Sequence, residues 1–163
     1  MLGRVMRQFM LGCVIIAASV SVQAETLDDV RAAVVERRAA AIAAYNAGDA
    51  DAMVSHYTQD TWHISPRRPP VQGRAALRQY FAPAMKSYLM STDNKILDLD
   101  VDGDTATVIT RSTLTGSPRP GVEAPTFTEE RLNLSVFKRQ ANGDWLIHRF
   151  IDTTPAKTEP AAD

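Results

Sequence analysis

The chain has 163 residues, with 18 Lys or Arg against 19 Asp or Glu and a single cysteine. The near-neutral charge excludes the basic stripe that nucleic-acid binding needs. One cysteine excludes a disulfide framework and a thiolate metal site, while 45% hydrophobic residues suffice for a core and exclude a disordered polymer.

Residues 1–24 read as an export signal. Arg4 and Arg7 precede an apolar run from Phe9 to Val20, and Val22-Gln23-Ala24 forms a small-residue cleavage site before Glu25. The run is shorter than the roughly 20 residues of a spanning helix. A lipid anchor on Cys13 is the alternative, but most of the apolar run follows that cysteine rather than preceding it. Removing the signal leaves 139 residues, with 16 basic against 19 acidic side chains and no cysteine. The expectation is a protein exported to a bacterial periplasm and free of the membrane after cleavage. It has one domain at 25–153 and a disordered tail at 154–163, rich in Pro, Ala and Thr.

The first helix is expected from Thr26 to Ala47. Leu27, Val30, Val34, Ala41 and Tyr45 recur at helical spacing, with Arg31, Glu36 and Arg38 on other faces. Thr26 can cap its start and Gly48 can end it. Asp49 can cap a short second helix from Ala50 to about Tyr57. A strand at Thr61–Ser65 ends in the Pro66–Pro70 loop. Gly73 precedes a third helix, Arg74 to Leu89, which Pro83 should kink or divide. The remainder alternates at period two. Strands at Lys95–Val101 and Thr105–Leu114 flank the turn Asp102-Gly103-Asp104. After a loop at Gly116–Pro125, strands at Thr126–Lys138 and Trp145–Asp152 flank Asn142-Gly143-Asp144. This order predicts an α+β fold, three helices packed on one face of a mostly antiparallel sheet.

Four stretches carry a family resemblance: Tyr45-Asn46-Ala47-Gly48-Asp49, Tyr57 to Asp60, Ser65-Pro66 through Gly73-Arg74-Ala75-Ala76-Leu77, and Gly143-Asp144-Trp145-Leu146-Ile147. In that order and spacing the chain resembles the nuclear transport factor 2-like superfamily, the cystatin-like α+β cones. It is most similar there to SnoaL-like and ketosteroid-isomerase-like proteins. The resemblance runs from Leu27 to Thr153. Its residues are mostly structural, and the fold hosts enzymes, carriers and assembly domains alike.

The isomerase-like members imply a helix-1 tyrosine, a carboxylate base before the strand-1 proline and a second, protonated acid on the fourth strand. Those positions hold Ala41, Ser65 and Ser135. A serine without a partner base cannot take a carbon-bound proton at neutral pH, so steroid-isomerase chemistry does not carry over.

The resemblance implies that the polar-leaning strand face lines the cone. It turns His63, Ser65, Asn133, Ser135, Phe137, His148, Phe150 and Asp152 inward, with His63 and His148 the candidate acid-base groups. His56 is expected at the surface, Arg131 and Arg149 as paired surface cations, and Asp60 at the turn into the first strand. The opposite face carries Trp62, Ile64, Leu132, Leu134, Val136, Trp145, Ile147 and Ile151. Bare patterning would bury that apolar face under the helices. The resemblance reverses this, and the exposed apolar face then predicts a homodimer. The three histidines lack ligand spacing, so neither a metal nor a cofactor is expected.

Three readings follow. The first is a binder of a small, largely apolar organic ligand. The second is a cofactor-free isomerase, dehydratase or cyclase-type lyase using His63 or His148. The third is a dimeric assembly or partner-binding domain.

Overall fold

The computed structural model describes residues 25–66 and 68–155. The expected signal segment, Cys13, Arg67 and the tail from residue 156 onward lie outside the described residues.

Helix α1 (Leu27–Ala47) starts at a capping box. The Thr26 hydroxyl accepts from the Asp29 amide, and the Asp29 carboxylate accepts from the Thr26 amide. It ends at Gly48, whose φ of 77° is open to glycine at little cost. Its buried residues are Val30, Val34, Ala41 and Tyr45. Arg38 stands in the same row, one turn after Val34, and not on an outer face as expected. Helix α2 (Ala50–Ser55) buries Met53 and Val54, and helix α3 (Arg74–Ser87) buries Leu77 and Met85. Pro83 does not divide α3.

Among the described residues six strands form one sheet: β1 (Tyr57–Ile64), β2 (Val71–Gln72), β3 (Tyr88–Asp102), β4 (Thr105–Pro118), β5 (Phe127–Arg139) and β6 (Trp145–Thr153). Their order is β2-β1-β6-β5-β4-β3. Only β1 and β6 run parallel. The fold is the expected α+β arrangement of helices on a mostly antiparallel sheet. No helix among the described residues is long and apolar enough to cross a membrane.

Four boundaries differ from expectation. The first strand begins at Tyr57, so Asp60 lies within it and not at its entry. Val71-Gln72 pairs with Trp62-His63 instead of staying in the loop. The chain leaves the helix at Tyr88, seven residues before the expected strand, because Tyr88–Asn94 pairs with the far end of β4. Asn46 holds this extension, its amide donating to the Met90 carbonyl and its oxygen accepting the Met90 amide. Strand β4 runs on to Pro118, and the loop that follows is tied by Arg119. Its guanidinium donates to the carbonyls of Met85 and Asn46 at 2.7 Å each.

The core lies between helices and sheet. It joins Val30, Val34 and Tyr45 to Leu77, Val108, Phe137, Trp145 and Ile147. Trp145 and Ile147 therefore face inward, against the expectation that put them on the outer face. A bulge is the reason. Phe137 pairs with Ile147 and Val136 with Arg149, so His148 is an extra residue in β6. The insertion reverses the alternation, leaving Ile147 and Phe150 on one side.

Candidate functional site

A cavity of about 490 Å³ lies between the helices and the concave side of the sheet. Helix α1 contributes Arg38, Ala41 and Tyr45, helix α3 contributes Tyr80 and Phe81, and β1 contributes Tyr57 and His63. Strands β5 and β6 supply Phe127, Glu129, Arg131, Asn133, Ile147, Phe150 and Asp152. Arginines apart, most of these are apolar or aromatic. The size is typical of a small-molecule site.

Of the residues expected inside the cone, His63, Ser65, Asn133, Phe150 and Asp152 line this cavity. Ser135 and Phe137 share their strand face but lie beneath Arg38, fully buried. His148 is displaced by the bulge. Its ring takes Thr58 at 3.0 Å and Asp60 at 3.4 Å, and it does not reach Asp152. Arg131 is paired as expected but lines the cavity instead of the surface. His56 is half-buried, its ring 3.3 Å from Arg37.

His63 sits in an aromatic cage. Its ring stacks on Phe150, with centroids 5.0 Å apart and planes 5° apart, while Phe81 and Tyr80 each approach within 5.2 Å. Nε2 is 2.9 Å from the Ser65 hydroxyl, and Nδ1 has no partner among the described residues. Burial, aided by the positive charge of Arg131, pushes its pKa down to about 4. At neutral pH the imidazole is uncharged. It has no proton surplus to give as an acid, and it is a weaker base than an ordinary histidine.

A polar network forms a second wall. The Arg131 guanidinium donates to Asp152 and, at 2.6 Å, to Glu129. The Asn133 amide donates to the other Asp152 oxygen at 2.7 Å, and Ser112 donates to Asn133 at 2.5 Å. Burial raises the Asp152 pKa, and the contacts with Arg131 oppose that rise. Arg131 keeps its charge, because the two carboxylates outweigh the cost of its burial.

Tyr45 also lines the cavity, one helical turn after the alanine at the isomerase-tyrosine position. Its hydroxyl is buried without a partner among the described residues, and burial pushes its pKa up to about 12. The side chains found here and missed in the sequence are Arg38, Tyr45, Arg131, Tyr80 and Phe81. The alternation of β5 contained the signal for Arg131, two residues before Asn133. The helical row of Val34, Arg38, Ala41 and Tyr45 contained the signal for Arg38.

No group of three or more His, Asp or Glu among the described residues could hold a metal ion. No curated protein matches the sequence. Solved structures do match the fold. A ketosteroid isomerase-like protein from Erwinia carotovora atroseptica superimposes with a TM-score of 0.63 at 19% identity, over 77% of this chain and 95% of that one. A nuclear transport factor 2-like superfamily protein from Salmonella enterica serovar Typhimurium gives 0.65 at 17%, over 85% and 99%. ActVI-ORFA from Streptomyces coelicolor gives 0.64 at 18%, over 77% and 96%. The sequence model of the SnoaL-like domain matches residues 38–148, from the cavity arginine of α1 to the bulge of β6. The chain has the fold of the nuclear transport factor 2-like structures and belongs to the SnoaL-like domain family.

Proposed function

We propose that this protein binds a small, flat, largely apolar organic molecule in the cone, after export from the cytoplasm. The cavity itself carries the reading: about 490 Å³ between helices and sheet, with an aromatic cage around an uncharged histidine. Binding is favoured over turnover because the acid-base groups are poorly matched to neutral pH. His63 is held well below the working range, and the Asp152 carboxylate is committed to Arg131 and Asn133.

The test is thermal unfolding with 2-naphthamide as a neutral two-ring probe, alongside mass spectrometry of small molecules that co-purify. The expected result is a concentration-dependent rise in Tm with the probe recovered unchanged. Ala84 of α3 also lines the cavity, and Ala84→Phe, which would fill part of it, should abolish the rise. A shift that persists in Ala84→Phe, or no shift with either 2-naphthamide or its acid 2-naphthoate, would overturn the reading.

One observation favours a second reading, a cofactor-free lyase or isomerase: the 2.9 Å contact between His63 Nε2 and the Ser65 hydroxyl inside the cavity. That reading expects chemical change of a bound hydroxy or carbonyl compound, lost in His63→Ala and kept in His148→Ala. The remaining apolar outer face supports self-association of two copies, independently of what fills the cone.

A further inference from the structure

Among the described residues, three arginines and two carboxylates line the cavity. Both carboxylates, Glu129 and Asp152, lie against Arg131. Arg68 is exposed and lies over the Tyr80 ring at 5.1 Å, so it stands at the rim in reach of water. Arg38 is different. Its side chain leaves the buried row of α1 and crosses to the sheet. One terminal nitrogen donates to the Thr110 hydroxyl at 2.9 Å and the other to the Ser135 hydroxyl at 2.8 Å. Its guanidinium lies 6.0 Å from the centre of the Phe137 ring. Nε has no partner among the described residues. Both groups that accept from this guanidinium among the described residues are neutral hydroxyls.

Burial pushes the Arg38 pKa down to about 10, and among the described residues no carboxylate acts to raise it again; the buried Tyr57 phenol does. The side chain remains charged at neutral pH. A buried charge is costly unless a counter-charge or a full set of hydrogen bonds accompanies it. Thr110 and Ser135 provide two acceptors where a guanidinium has five donors. A purely structural role would be served by a neutral residue or by an arginine with its carboxylate built in, as Arg131 has.

We infer that the molecule held in the cone carries a carboxylate, and that Arg38 is its counter-ion. The inference rests on the cavity-binding reading above and adds a ligand class to it: an organic acid with a flat apolar body. The body would pack in the cage of Tyr80, Phe81 and Phe150, while the carboxylate takes free donors of the Arg38 guanidinium. Rim-standing Arg68 would raise the local concentration of such an anion without fixing its pose.

A matched pair tests this by titration calorimetry, with 2-naphthoate as the acid and 2-naphthamide as its neutral counterpart. The wild type should bind the acid at least about tenfold more tightly, since a charge-assisted contact in a dry site is among the stronger hydrogen bonds. Arg38→Met should shrink that preference below about threefold while keeping amide binding, and Arg68→Gln should lower it by less than Arg38→Met does. Equal wild-type affinity for acid and amide would overturn the inference and leave the cavity reading standing. A preference that survives Arg38→Met would do the same. Failure of both probes to bind would overturn the cavity reading itself. Should Arg38→Met not fold, crystals of the wild type with 2-naphthoate decide. The carboxylate within hydrogen-bond distance of Arg38 supports the inference, and the carboxylate on Arg68 or Arg131 overturns it.

Discussion

His63 shows how a residue type alone misleads about protonation. An ordinary histidine titrates near 6.5. Four side chains change that here: Phe150, Phe81 and Tyr80 exclude water, and Arg131 adds a like charge. The consequence for stability has a definite sign. The unfolded chain takes up a proton below about 6.5, while the folded chain resists until about 4. His63 therefore contributes its full stability above pH 6.5 and loses it as pH falls toward 4. The depression corresponds to about 3 kcal/mol, of which about 2 kcal/mol should vanish between pH 7 and pH 5. Asp152 works in the opposite sense, because its raised pKa lets the folded state gain a proton early. Urea unfolding of wild type and His63→Phe at pH 5 and pH 7 isolates the histidine. The variant should lose less stability between the two. Equal losses would mean that the imidazole is already charged in the folded protein.

At the scale of elements, the informative features are the places where a strand departs from regular alternation. The extra residue at His148 turns β6 over, so Trp145, Ile147, Phe150 and Asp152 all face the interior. Period-two reading from sequence assumes no insertion, and a single bulge leaves no mark in residue type. The far end of the cavity depends on another close approach. Gly116 of β4 pairs with Phe127 of β5, and a methyl group at 116 would stand 2.3 Å from the Phe127 ring. That ring also meets Tyr88 edge to face at 5.3 Å and lines the cavity. Gly116→Ala must push the ring aside. It should cost about 1–3 kcal/mol by overpacking and weaken probe binding together with stability. A variant as stable as wild type with unchanged affinity would show that the ring moves freely. Strand β3 teaches the complementary lesson. Tyr88 to Asn94 carries no strand signal strong enough to override the helix before it, and only pairing with β4 extends it.

At the scale of the molecule, the outer sheet face remains apolar after the correction of Trp145 and Ile147. Ile64, Ile151, Leu134 and Ile109 form one row across four strands, and Trp62 and Val136 lie in the next. Leu132 and Leu134 are 39% and 36% exposed. A continuous apolar stripe of this kind on one face suits a two-fold interface, in which the same patch meets itself. Leu134→Glu would place two like charges at its centre. We expect wild type to sediment as a dimer at micromolar concentration and Leu134→Glu as a monomer with the same circular-dichroism spectrum. A wild-type monomer at high micromolar concentration would refute the interface.

By itself the sequence determined the class of fold, the hairpin turns at Asp102-Gly103-Asp104 and Asn142-Gly143-Asp144, the caps of the first two helices and the polar face of β5. These are local properties, written in periodicity, in glycines at turns and in capping side chains. Only the tertiary structure decided which polar groups meet. It put Arg38 under the cavity without a carboxylate, set Arg131 between Glu129 and Asp152, and took His148 out of the site. Such outcomes depend on strand register and on side chains arriving from elements far apart in the chain. A one-residue slip changes the face of every residue beyond it, and no residue in the chain announces the slip in advance.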